Sequence, residues 1–259
     1  MSEQNASHPS PSFTRIRLFV DDDLAPGGGF KLGRDQSHYL QNVMRRGEGD
    51  RVALFNGRDG EFWAELTDVR RGAVSLSLQE QFRAQAPEPD HWLVFAPIKR
   101  DAVNFMVTKA TELGVSRIVP VITARTNAKR FNTRRLWENA IEAAEQSERL
   151  SVPEIDEPVR FPTFLERWSG RRLLVGDETG GGKPIAEIAA EMAQTPEPLA
   201  IMTGPEGGFA PDELDQLRDV PFVTPVGLGL RVLRADTAAL AALAVVQAVA
   251  GDWHSGRMG

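Results

Sequence analysis

The sequence predicts an α/β protein in two parts: a small β-barrel over residues 15–85 and an α/β domain with a parallel sheet over residues 86–259. Three observations lead there. Short β-rich runs fill the first part, whereas apolar strands alternate with amphipathic helices in the second. Between them, Ala84-Gln-Ala-Pro-Glu-Pro-Asp90 carries two prolines and reads as a linker. Near the C-terminus, Thr203-Gly-Pro-Glu-Gly-Gly-Phe209 and Leu228-Gly-Leu-Arg-Val-Leu-Arg-Ala-Asp-Thr237 each follow an apolar run and precede a helix-like one. Two such turns at the carboxyl ends of parallel strands can form a crevice where open α/β folds bind ligands.

In the first part, Arg15–Val20, Arg51–Phe55, Glu61–Val69 and Val74–Leu78 have strand composition. Asn56-Gly57 and Asp59-Gly60 mark a hairpin between the second and third. Asp35–Arg46 interrupts them as a helix-like piece with Leu40, Val43 and Met44 apolar. Residues 1–14 are polar, with prolines and serines and no apolar stretch, so they read as a disordered tail rather than a signal peptide.

The second part begins with the apolar strand Trp92–Pro97. Asp101–Gly114 follows as a helix with Val103, Met106, Val107, Ala110 and Leu113 on one face and Gly114 at its end. Arg117–Ile122 is the next strand, and Thr133–Leu150 a helix with Thr133 as its expected N-cap. Leu173–Gly176, Leu199–Thr203 and Pro221–Val226 are strands; Pro184–Ala193 and Pro211–Arg218 are helices opened by proline. Asp212 and Glu213 suit the first turn of the latter. The last helix, Thr237–Ala250, is apolar nearly all round, which predicts burial on all sides, in the core or at a subunit interface.

Composition narrows the chemistry. The chain has no cysteine, which excludes thiolate zinc sites and cysteine nucleophiles, and its four histidines are scattered without metal-ligand spacing. No apolar stretch is long and charge-free enough to span a membrane. A cytoplasmic, metal-free protein is the expectation. The net charge of −6 hides a block pattern. Lys99–Arg135 holds nine Lys/Arg against Asp101 and Glu112, whereas Leu136–Asp219 holds seven basic and eighteen acidic residues. That asymmetry permits a basic face for an anionic polymer, or simply solvated charge.

Familiar nucleotide loops do not fit. In Gly176-Asp-Glu-Thr-Gly-Gly-Gly-Lys-Pro184 the glycine spacing is one residue too long for a P-loop, and Pro184 replaces the magnesium-binding Ser/Thr. Gly227-Leu-Gly229 begins a dinucleotide fingerprint, but Val232 takes the third glycine position. Gly-x-Ser-x-Gly is absent. Either glycine turn alone could be an ordinary connection; both together, in this order, point to a cofactor pocket with arginines beside it.

Gly204-Pro-Glu-Gly-Gly208 with Leu228-Gly-x-Arg-Val-Leu-Arg-x-Asp-Thr-Ala238 closely resembles the RsmE family of SPOUT-class RNA methyltransferases. The resemblance runs from about Arg15 to Gly251. It includes His38-Tyr-Leu-x-x-Val-Met-Arg45 with Gly49-Asp50, Lys109-Ala-Thr-Glu-Leu-Gly-Val115, and Glu142-Ala-Ala-Glu-Gln-Ser-Glu-Arg149 followed by Pro153. The chain departs from the family at Asp236, where glutamate is usual, and at Ala210, where a capping Ser or Thr is common.

The resemblance implies a PUA-like RNA-binding barrel, a methyltransferase domain with a deep trefoil knot, and a homodimer. It implies S-adenosylmethionine as cofactor and N3 of a uridine in 16S ribosomal RNA of the small subunit as target. On that basis Thr203, Gly204, Pro205, Glu206, Gly207, Gly208, Leu228, Gly229, Leu233, Arg234 and Thr237 are expected at the cofactor. Arg234 is the candidate for stabilising the developing uracil anion. Arg231 is second, with phosphate positioning as its alternative, and Asp236 is either proton acceptor or N-cap. Arg15, Arg17, Arg45, Arg46, Lys99, Arg100 and Arg125 are expected to grip RNA. A non-catalytic RNA-binding or ribosome-assembly protein would need the basic face but not the two turns. A nucleotide-dependent oxidoreductase is disfavoured by the broken fingerprint.

Overall fold

The computed structural model describes residues 15–127, 131–176, 180–195 and 197–253. The expected tail at 1–14 and the basic pair Lys129 and Arg130 lie outside the described residues. The chain divides into two compact units, residues 1–85 and 86–259.

The first unit contains β1 (Arg17–Phe19), β2 (Gly29–Lys31), α1 (Arg34–His38), β3 (Arg51–Phe55), β4 (Glu61–Arg70) and β5 (Ala73–Arg83). They form one sheet in the order β1-β3-β4-β5-β2, parallel between β1 and β3 and antiparallel elsewhere. Period-two alternation drives Phe62, Ala64 and Leu66 of β4 and Val74, Leu76 and Leu78 of β5 into a shared core with Leu18, Val52, Leu54 and Leu40. The predicted helix over 35–46 is instead α1 followed by a π-helical turn, Tyr39–Val43, ending at Arg45 in the left-handed region (φ 52°). Asn56 shapes the β3–β4 connection by accepting the N–H groups of Arg58 and Asp59, both at 2.9 Å.

Arg17 corrects a sequence expectation. Lying between Ile16 and Leu18 on a short strand, it is only 5 % exposed, and its Nε donates to Glu61 Oε1 at 2.5 Å. Its guanidinium sits 4.4 Å from the Phe55 ring centroid, and burial lowers its pKa against the opposing pull of Glu61. This arginine is part of the unit's interior and is not displayed to RNA. Removing one partner of such a pair strands a buried charge. Glu61→Gln is therefore expected to destabilise this unit by on the order of 3–5 kcal/mol, measured as a lower urea midpoint. An unchanged midpoint would mean that water already solvates Arg17.

The second unit is a parallel sheet flanked by helices. Its strands are β6 (His91–Phe95), β7 (Arg117–Ile122), β8 (Glu154–Ile155), β9 (Val159–Arg160), β10 (Arg172–Gly176), β11 (Lys183–Pro184), β12 (Leu199–Thr203) and β13 (Val223–Gly227). Their order is β11-β13-β10-β12-β6-β7-β8, with β9 also on β7, and every pairing is parallel. Leu93, Phe95, Ile118, Leu174, Leu199 and Ile201 join α2 (Arg100–Glu112), α3 (Thr133–Gln146), α5 (Ile185–Gln194) and α7 (Ala235–Ala250) in one core. The alternate residues Val94, Val119, Val121, Val175, Ala200 and Met202 pack with α4 (Phe161–Arg167) and α6 (Pro211–Asp219) in another. The two cores lie on opposite faces because successive strand side chains do.

Several boundaries differ from expectation. Asn132, not Thr133, caps α3, its Oδ1 accepting the N–H of Arg135 at 3.1 Å. The last helix starts at Ala235 with Arg234 in extended backbone as its N-cap. Asp236 therefore lies in the first turn and does not cap it; its Oδ1 accepts the N–H of Thr237 at 2.7 Å. Within one chain, Ala239, Ala242, Leu243, Val246 and Gln247 of α7 are buried, while Thr237 and Ala248 are exposed. Gln247 fastens the ends of two helices, its Nε2 donating to the Leu113 carbonyl at 2.6 Å and its Oε1 accepting the N–H of Asp252 at 3.3 Å.

Candidate active site

The carboxyl edge of the sheet presents β12, β10 and β13 side by side, so both glycine turns emerge at one rim with β10 between them. At one strand spacing per step, their roots stand about 10 Å apart. Among the described residues the sequence set 203–208 and the set 228–237 thus converge on one edge, flanking the end of β10 at Gly176.

The first turn is built for close approach. A Cβ on Gly204 would stand 2.9 Å from the Phe209 ring, so only glycine lets that ring close beneath the turn. Gly208 closes it, donating its N–H to the Pro205 carbonyl at 2.9 Å. Pro205, Gly208 and Phe209 are buried, while Glu206 and Gly207 face solvent. At its root the Thr203 carbonyl accepts the N–H of Ala96 at 3.1 Å, but the buried Thr203 Oγ1 has no hydrogen-bond partner.

The second turn is more open. Leu228 packs against the core, and Gly229 takes φ +99°, a conformation that side-chain-bearing residues rarely adopt. Beyond it Leu230 is fully exposed and Val232 is 79 % exposed. Arg231 and Arg234 are exposed and have no acidic partner among the described residues; Leu233 and Asp236 are half-buried. The rim combines backbone N–H and C=O groups, apolar seats, an orphaned hydroxyl and two uncommitted cations. The apolar seats and backbone groups suit the base and ribose of a nucleoside, and the two cations suit an anionic group beside it. Among the described residues no cluster of His, Asp and Glu could hold a metal ion.

In the P-loop lookalike, Lys183 and Pro184 form β11 and pair with β13; residues 177–179 lie outside the described residues. The proposed RNA-contacting residues are distributed over both units. In the first, Arg45 is exposed, Arg46 lies 4.0 Å from Asp50, and Arg15 stacks 4.8 Å from the Phe82 centroid. In the second, Lys99 and Arg100 are exposed at the start of α2, while Arg125 Nη1 donates to the Gly207 carbonyl at 2.7 Å. The basic block is partly neutralised internally: Lys109 pairs with Glu112, Arg117 with Asp156 and Arg134 with Glu138. Sequence reasoning placed Glu213 in the first turn of its helix but missed its reach to the loop after β7; it accepts the N–H groups of both Ala210, at the exit of the first turn, and Ala124.

Comparison with known proteins decides the family. The RNA methyltransferase domain model matches residues 86–247, and the RNA methyltransferase PUA domain model matches residues 32–79. The "Ribosomal RNA small subunit methyltransferase E" of Rickettsia conorii is 33 % identical over 232 residues, covering 89 % of this chain and 94 % of the relative. This chain belongs to the ribosomal RNA small subunit methyltransferase E family. The Bacillus subtilis member is 30 % identical, covering 84 % of this chain and 89 % of its own. Among solved members of the family, that of Neisseria gonorrhoeae, bound to S-adenosyl methionine, superposes with a TM-score of 0.81 at 26 % identity, covering 92 % and 99 % of the two chains. A Legionella pneumophila methyltransferase in complex with its cofactor SAM gives 0.83 at 28 %, covering 93 % and 100 %. As a family member the chain is an α/β methyltransferase with an N-terminal PUA domain. No helix among the described residues is long and apolar enough to cross a membrane.

Proposed function

We propose that this protein transfers the methyl group of S-adenosylmethionine to N3 of a uridine in 16S ribosomal RNA, acting in the cytoplasm on the small ribosomal subunit or its RNA. The observation that carries the proposal is the pairing, at one sheet rim, of the Gly204–Gly208 turn with the Gly229 turn and the uncommitted Arg234.

When bound, the donor supplies an electrophilic methyl on a positive sulfur. The chain's own residues do the rest. Gly204–Gly208, Thr203, Leu228 and Leu233 seat the nucleoside, and Thr203 Oγ1 gains the partner it lacks. Displacement at the methyl requires near-collinear attack, so a rim that fixes orientation contributes through proximity. Uracil N3 carries an imide proton and attacks only once charge on its ring is stabilised. The permanently charged guanidinium of Arg234 does that without itself losing a proton. Arg231 positions a phosphate nearby. Asp236 retains Oδ2 as a proton acceptor, since Oδ1 is engaged by Thr237. N3 faces the partner strand in a base pair, so the target uridine must be unpaired or flipped out.

Arg15, Arg45, Arg46, Lys99, Arg100 and Arg125 grip RNA phosphates in this reading; Arg17 does not. The homodimer belongs to it as well. Phe105, Leu113, Leu240, Ala241 and Ala244 line an apolar groove of about 560 Å³ between α2 and α7, the face of α7 left open within one chain. Leu230 and Val232, exposed beyond the second turn, are further apolar surface for a second copy. The test is nucleoside mass mapping of 16S rRNA from cells with and without the gene. N3-methyluridine at one position, lost with the gene and restored by purified protein and S-adenosylmethionine, is the expected result; an unchanged nucleoside profile would refute the proposal.

A further inference from the structure

The Gly204–Gly208 turn is held from outside by the loop that follows β7. Glu213 in the first turn of α6 is only 7 % exposed and divides its carboxylate between two backbone donors. Its Oε2 accepts the N–H of Ala210 at 2.9 Å, an ordinary local cap. Its Oε1 accepts the N–H of Ala124 at 2.7 Å, a bond between residues 89 positions apart. The next residue, Arg125, reaches the turn itself through Nη1 and the Gly207 carbonyl at 2.7 Å. The loop is stiff in its own right, because Thr126 Oγ1 accepts the N–H of Thr123 at 2.9 Å and lies 2.8 Å from Thr123 Oγ1.

A turn with three glycines has many accessible conformations, and a ligand that needs one of them binds only in proportion to its population. We propose that Glu213 is a positioning residue for the methyl donor: through Ala124 and Arg125 it holds the glycine turn in its donor-binding shape and sets donor affinity without contacting the donor. This rests on the reading that the turn seats S-adenosylmethionine. Glu213 matters here because, among the described residues, it joins the loop, the turn's exit and α6 by charge-assisted bonds in a buried setting.

Glu213→Gln preserves shape but presents an amide N–H to one of the two backbone donors, leaving that donor unsatisfied. Calorimetry with S-adenosylmethionine on the full chain is expected to show roughly 10-fold weaker binding, with kcat at saturating donor within about twofold of the parent. Arg125→Ala, which leaves the buried carboxylate intact, is expected to weaken donor binding severalfold and guards against misfolding of the first variant. Amide exchange in the free protein supplies a readout independent of ligand. Gly208 N–H, bonded to Pro205 and not to Glu213, is expected to exchange faster in both variants. Donor affinity unchanged in both variants, or kcat lost at unchanged affinity, would overturn the proposal. If the parent chain does not bind S-adenosylmethionine, the functional reading fails instead. The Gly208 exchange rate then decides the role of Glu213 alone: acceleration supports it, and parental protection overturns it.

Discussion

Arg234→Ala is expected to lower turnover by roughly 10²–10³-fold, the loss typical of removing one donor to a developing oxyanion, while binding of S-adenosylmethionine persists. Arg234 is exposed at the N-cap of α7, in extended backbone, with no acidic partner among the described residues. Its guanidinium is free to meet substrate charge, and its removal opens no cavity. Fold stability should therefore be untouched, which separates a chemical effect from a structural one. Arg234→Lys restores charge without the planar fork and should recover only part of the rate. Single-turnover methylation of 16S rRNA measures both variants. Near-parental turnover in the alanine variant would remove Arg234 from the mechanism.

Raising salt from 50 to 200 mM is expected to weaken RNA binding by roughly 300- to 2,000-fold, from six phosphate contacts with a slope of about −0.7 to −0.9 per contact. The six are Arg15, Arg45, Arg46, Lys99, Arg100 and Arg125, all exposed or half-buried. Arg17 is omitted because it is buried inside its own unit. Filter binding or anisotropy with an unpaired 16S fragment over that salt range measures the slope. Lys99→Ala should make it shallower by about one contact; a flat profile would mean that these cations do not meet the backbone.

Much of the fold was legible because several strands are buried on both faces. Arg51–Phe55, Arg117–Ile122 and Leu199–Thr203 match observed strands residue for residue, each a short apolar run bounded by turn or helix signals. Three-residue β2 and two-residue β8 and β9 were missed, being too short to show a period. α4 escaped with them. The start of α7 differs because Asp236, a better intrinsic cap than Arg234, lies inside the first turn and turns its carboxylate to the N–H of Thr237. At the candidate site, glycine spacing made the two turns visible. The burial of Arg17 was invisible, since its partner lies 44 residues away, and so was the span from Glu213 to Ala124.

The clamp at Gln247 makes α7 a ruler. Its amide is pinned to the end of α2, and thirteen residues separate it from Arg234, about 20 Å of helix at 1.5 Å per residue. One residue inserted or deleted within that span would swing the guanidinium by about 100° around the axis. The helix length, as much as the identity of its first cation, thus dictates where that charge is aimed.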